Sequence, residues 1–178
     1  MNKITHTLAG AAIAGMFALG GGAAALAQSN PTDAQIAGIV VTANKVDIDA
    51  GKLAHKKAAN AEVKAFAQQM VTDHAGVNQQ AGALVKKLKV TPEDSELAKS
   101  LKQGGADNLA KLKGLKGKQF DQAYVDHEVV YHQAVIDALD KTLIPSAKNA
   151  ELKETLVKTR PAFVAHLEHA KQLQASLK

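Results

Sequence analysis

The sequence predicts an all-α protein organised as a four-helix bundle. Three observations predict it. Apolar residues recur every three or four positions along four long segments, no stretch keeps the apolar–polar alternation of a strand, and there is no cysteine. The first two are the signatures of amphipathic helices. The third removes disulfides and thiolate chemistry, so packing must supply the stability.

The N-terminus has Lys3, a small and apolar run from Leu8 to Ala27, and Ala25-Leu26-Ala27 before Gln28. A basic start, a short apolar core and an A-x-A end describe a secretory signal peptide. Residues 1–27 are therefore expected to be cleaved, leaving a single domain over 28–178. Glycines at 15, 20, 21 and 22 suit a cleaved peptide better than a retained anchor. The expected location is the periplasm or beyond, with association at the outer membrane open. No second long apolar run follows, so no membrane span is expected after cleavage.

Cleavage would remove one basic group, Lys3, leaving 21 basic and 17 acidic side chains. The densest basic stretch, Lys111, Lys113, Lys116 and Lys118, has no interleaved aromatics. It reads as a solvated face, and nucleic acid is not an expected partner.

The helices follow in order. Thr32 or Asp33 can cap the first, whose stripe is Ile36, Ile39, Ala43, Val46, Ala50 and Leu53. The second runs from about Ala61 to Leu88 with Val63, Ala67, Met70, His74, Val77, Ala81, Leu84 and Leu88 in register. Thr91-Pro92-Glu93 breaks the chain. A weaker piece with Leu97, Leu101, Leu109 and Leu112, interrupted by Gly104-Gly105, reads as a short helical crossover outside the core. The next long helix, about Phe120 to Leu143, has two apolar stripes and should end at Pro145. The last covers about Asn149 to Leu177, with Pro161 inside it to kink it. Two helical hairpins joined by a long crossover have the ferritin-like connectivity.

Three histidines share the register of the core: His74, His132 and His166. Carboxylates flank them. Glu128 and His132 are one turn apart, about 40° around the helix, so they can face one ligand. Asp47 is the most inward acid of the first helix, while Asp49 faces away. Asp73 is a natural partner for an imidazole. His127 lies about 140° from His132 and cannot serve the same centre from a regular helix. Imidazole and carboxylate together suit zinc, iron, copper or nickel. His74, His132, His166, Glu128 and Asp47 are thus the candidate metal ligands. The competing reading makes each histidine a core residue satisfied by an acid or a tyrosine. No phosphate loop, G-x-S-x-G or H-E-x-x-H occurs, and no catalytic residue is assigned.

Met70-Val71-Thr72-Asp73-His74, Ala50-Gly51-Lys52-Leu53-Ala54, Phe120-Asp121-Gln122-Ala123-Tyr124, His132 and Pro161-Ala162-Phe163-Val164-Ala165-His166-Leu167 together carry a resemblance. The chain resembles the exported bacterial family named domain of unknown function 4142, a ferritin-like helical group sometimes labelled as outer-membrane proteins. The similarity runs from about Asp33 to Leu173. It implies an exported helical bundle and brings no established activity. Di-iron ferritin-like sites use two Glu-x-x-His motifs. This chain has no Glu-x-x-His or Asp-x-x-His, which favours a histidine-rich mononuclear site or none. The readings that remain are a metal-binding bundle of uncharacterised role, an envelope scaffold or stress-related interaction protein without metal, and a metal-dependent oxidoreductase.

Overall fold

The computed structural model describes residues 30–178; the expected signal segment, 1–27, lies outside them. All regular structure among the described residues is helical. Helix α1 (Asp33–Lys57) starts at a capping box: Gln35 N–H donates to the Thr32 hydroxyl, and Thr32 N–H donates to the Gln35 side chain. Helix α2 (Ala61–Lys87) is capped by Asn60, α3 (Glu96–Gly114) by Ser95 and α6 (Ala150–Ser176) by Asn149. Helix α4 (Gly117–Ala138) passes into a π-helical turn, Leu139–Leu143, and then into the short α5 (Ile144–Ser146). Pro145 does not end this segment at once. It follows the π turn within the same helical run, which ends one residue later at Ser146. Pro161 also stays within a continuous helix. It and Val157, whose carbonyl loses its N–H partner, are both exposed. Water can satisfy that oxygen. No described helix is long and apolar enough to cross a membrane.

Helices α1 and α2 pair as one hairpin, α4 and α6 as the other. The two halves echo each other in sequence. Asn60-Ala61-Glu62-Val63-Lys64 returns as Asn149-Ala150-Glu151-Leu152-Lys153, and Ile48-Asp49-Ala50 as Ile136-Asp137-Ala138. Helices α2 and α6 each have 27 residues, an Asn N-cap and a Leu C-cap. The spacing between equivalent positions grows by one residue across the π turn. A π turn is the local form that one inserted residue takes in a helix.

Each hairpin's turn is held by a carboxylate of the other. Asp121 of α4 accepts from the backbone N–H groups of Ala59 and Asn60 at 3.0 and 2.8 Å. Asp33 of α1 accepts from those of Lys148 and Asn149 at 2.9 and 3.0 Å.

The stretch expected as a short, interrupted crossover is a continuous helix of 19 residues packed along α1. Ala98, Gly105, Asn108 and Leu112 are buried in it. The correction has a steric cause. A Cβ on Gly105 would stand 2.8 Å from both methyls of Val46, so glycine is what lets α3 approach α1. That packing outweighs its low helix propensity. Gly105→Leu should separate the two helices and cost about 1–3 kcal/mol. Urea denaturation checks this, and an unchanged midpoint would mean that α3 is loosely held.

The core falls into two apolar clusters. One surrounds Phe66, Met70, Phe120 and Tyr124, the other Ile36, Ile136, Leu156 and Phe163. Between them lies a layer of buried polar side chains.

Candidate metal centre

Six side chains from four helices make this layer: Asn44 and Asp47 from α1, His74 from α2, Glu128 and His132 from α4, and His166 from α6. All are buried, the most exposed at 4 %. Their placement follows from helical spacing. Asn44 and Asp47 are three residues apart, Glu128 and His132 four, so each pair shares a face. The rings of His74, His132 and His166 form a triangle with centroids 5.6, 5.2 and 5.4 Å apart. All five candidate ligands therefore stand in one layer.

Each imidazole has one nitrogen committed. The Asn44 amide donates to the Val40 carbonyl, which turns its oxygen to His74 Nδ1 at 2.7 Å. His74 Nδ1–H must then be the donor. His132 Nδ1–H donates to the Glu128 backbone carbonyl at 3.0 Å, and His166 Nε2–H donates to the Asp73 carboxylate at 2.9 Å. The remaining nitrogens, His74 Nε2, His132 Nε2 and His166 Nδ1, carry lone pairs. All three are buried without a hydrogen-bond partner. The three histidines offer nitrogens lying within 4.8 Å of one another. Asp47, Glu128 and His132 form a second such group.

Asp47 joins the two groups. Its Oδ2 lies 3.0 Å from His74 Nε2 and 3.5 Å from His132 Nε2. With the ring protons on Nδ1 these are lone pairs facing a carboxylate. Such contacts are favourable only with a proton or a cation between them.

The electrostatics agree. Burial raises Asp47 to about 7, and the hydrogen bond from Glu128 partly offsets this. Burial, and then the Asp47 charge, push Glu128 well above the usual carboxylate range. The two carboxyls titrate as a pair, both held above the usual carboxylate range. Burial lowers His74 to about 2, with His132 and His166 adding to the effect. Burial also lowers His132 to about 4, and His166 in the same direction. Burial thus disfavours charge on the imidazoles and on the carboxyls alike, and a cation bound among them would offset that cost for the carboxylates.

These shifts set a pH profile for metal-free protein. Each buried imidazole has a folded pKa below its unfolded value, so its contribution is lost as pH falls below about 6.5. The two acids have folded pKa values above their unfolded ones. Their neutral forms favour the folded state, and that contribution is lost as pH rises toward the folded values. Between pH 4.5 and 6.5 the lowered imidazoles (His74, His127, His132 and His166) outnumber the two acids. Stability should therefore peak near neutrality and fall on both sides. Guanidinium denaturation of chelator-treated protein from pH 4.5 to 9 tests this, and a monotonic rise across the range would contradict it.

The remaining sites fall elsewhere. Asp49 pairs with Lys45 at the surface, His55 is exposed, and His127 stacks on Tyr131 at 5.5 Å. His169 meets Phe66 edge-on at 5.0 Å. Asp73 serves His166 of α6 rather than its neighbour His74. Two contacts at the polar layer escaped sequence reasoning. Asn44 orients His74, and its signal was a polar residue one turn before Asp47 on the same face. Tyr131 donates to the Ala43 carbonyl at 2.8 Å and so ties α4 to α1 beside the layer; its sequence marks it as a packing residue with a hydroxyl handle and does not show the partner.

Comparison with curated proteins finds no match, and comparison with solved structures finds none. A family model matches residues 19–173, and the chain belongs to the family it describes, domain of unknown function (DUF4142).

Proposed function

We propose that this protein is an exported helical bundle that holds a transition-metal ion in its polar layer. His74, His132 and His166 would be the nitrogen ligands, and Asp47 and Glu128 the carboxylates. One observation carries the reading. Three buried imidazoles from three helices meet in one triangle, and each has one nitrogen oriented by a protein partner and the other buried without one. Metal-bound histidines are oriented by such outer partners. A scaffold core has no need of the arrangement, and apolar side chains would fill the same space at lower cost.

The mixed nitrogen and oxygen set suits zinc, copper, iron(II) or nickel. Both carboxyls have raised pKa values, so a metal that ligates them would compete with protons and its uptake should release protons. The expected role is metal holding, with no reaction assigned. Export rests on Lys3, the apolar run and Ala25-Leu26-Ala27.

Untagged protein should be purified from the envelope fraction and analysed for metal content and intact mass. The expected result is bound transition metal and an N-terminus at Gln28. The triple variant His74→Ala, His132→Ala, His166→Ala should carry no metal. Equal metal content in the two proteins would leave the histidines as core residues and the bundle as a scaffold. Recovery of intact chain beginning at Met1 would overturn export.

A further inference from the structure

A second space lies beside the polar layer. The helices bound a pocket of about 130 Å³ that is partly open to solvent. Ile39, Val77, Ala81, Val135, Leu156 and Phe163 are among its walls, and α3 closes one flank with Leu97 and Leu101. Along α2 it extends from Val77 to Val85, about 12 Å at the helical rise. One end abuts Asn44 and Phe163. The other is lined by the half-buried Leu84 and Val85 with Leu143 and Leu152, and the exposed Gln80 borders the pocket between the ends.

Apart from the exposed Gln80 at its rim, the polar side chains on this wall have their hydrogen-bonding groups engaged elsewhere. The Thr155 hydroxyl donates to the Glu151 carbonyl and that of Thr159 to the Thr155 carbonyl, both at 2.8 Å. The Asn44 amide is held by Val40 and His74. A water molecule needs two to four polar partners, so the apolar interior of this pocket holds water weakly. Its walls then lack dispersion partners that a small apolar molecule would restore. A charged or hydrogen-bonding guest would lose its hydration and gain nothing in return.

We propose that this cavity is a binding site for a small uncharged apolar molecule, up to about the size of benzene. An apolar cavity of roughly 150 Å³ accepts benzene or xenon. Phe163 forms the partition. Its ring lines the cavity and lies 5.2 Å, centroid to centroid, from that of His74. A molecule in the cavity therefore stops one aromatic ring from the histidine layer. The site does not depend on bound metal.

Benzene is the probe. The full chain, methyl-labelled and metal-free, is titrated with benzene and followed by NMR. Saturable shifts are expected at the methyls of Val77, Leu84 and Leu156, with Val63 and Leu173 in the other apolar cluster unmoved. Ala81→Leu and Ala138→Leu place side chains into the cavity and should each abolish the saturable shift. Leu156→Ala enlarges the cavity and should admit naphthalene, which the wild type excludes. Circular dichroism and metal uptake, both expected unchanged in Ala81→Leu, separate loss of the cavity from loss of the fold or of the metal site. No saturable shift in the wild type would overturn the proposal, as would equal shifts in both clusters or undiminished benzene binding by a filled variant that is folded.

Discussion

His74→Ala is expected to weaken metal binding by more than the roughly 10–100-fold that loss of an outer-shell partner costs. Asn44→Ala, which leaves the imidazole present but unoriented, should fall within that range. His55→Ala, at an exposed position, should change nothing. The order follows from geometry. His74 Nε2 is one of three ring nitrogens buried without a partner, and Asn44 only fixes which nitrogen carries the proton. Isothermal titration with zinc, copper, nickel and iron(II) measures the series. A flat series would show that the imidazoles are not ligands. A large loss for Asn44→Ala with none for His74→Ala would place the metal away from the triangle.

Phe163→Ala is the substitution with the largest expected effect on stability. The side chain is buried between the second apolar cluster and the polar layer, with its ring 5.2 Å from that of His74 and 6.1 Å from that of His132. Truncation removes packing and joins the new void to the existing cavity, so collapse cannot heal it. A cost of about 3–5 kcal/mol is expected, a drop in Tm on the order of 10 °C for a chain of this length. Calorimetry of metal-free protein checks it. A loss under about 1 kcal/mol would mean that the surrounding helices close over the gap.

The helices and the inward histidines were legible because both are written in the period of 3.6 residues. His74 falls in the run Val63, Ala67, Met70, Val77, Ala81, and a run of that spacing buries what it contains. Asp47 and Glu128 were legible by the same geometry. The partners of the imidazoles were not. Asn44 has no apolar signature, and the pairing of Asp73 with His166 depends on how α2 meets α6, which no local pattern encodes. Gly104-Gly105 misled for a related reason. Propensity counts glycine against a helix, while the space that Gly105 leaves for Val46 exists only once α3 lies on α1. The π turn is visible only as a one-residue difference between two halves of the chain, and the halves are recognised by matching their caps.

The reciprocal carboxylate clamps bear on how the molecule comes apart. Asp121 holds the turn of the first hairpin and Asp33 that of the second, so neither hairpin has its own turn satisfied when alone. The polar layer draws on both hairpins as well. An isolated half would lose the clamp on its turn and uncover the polar and apolar side chains that the other half buries. The free energy of either half is thus conditional on the other, which favours a single cooperative unfolding transition with no populated half-folded state.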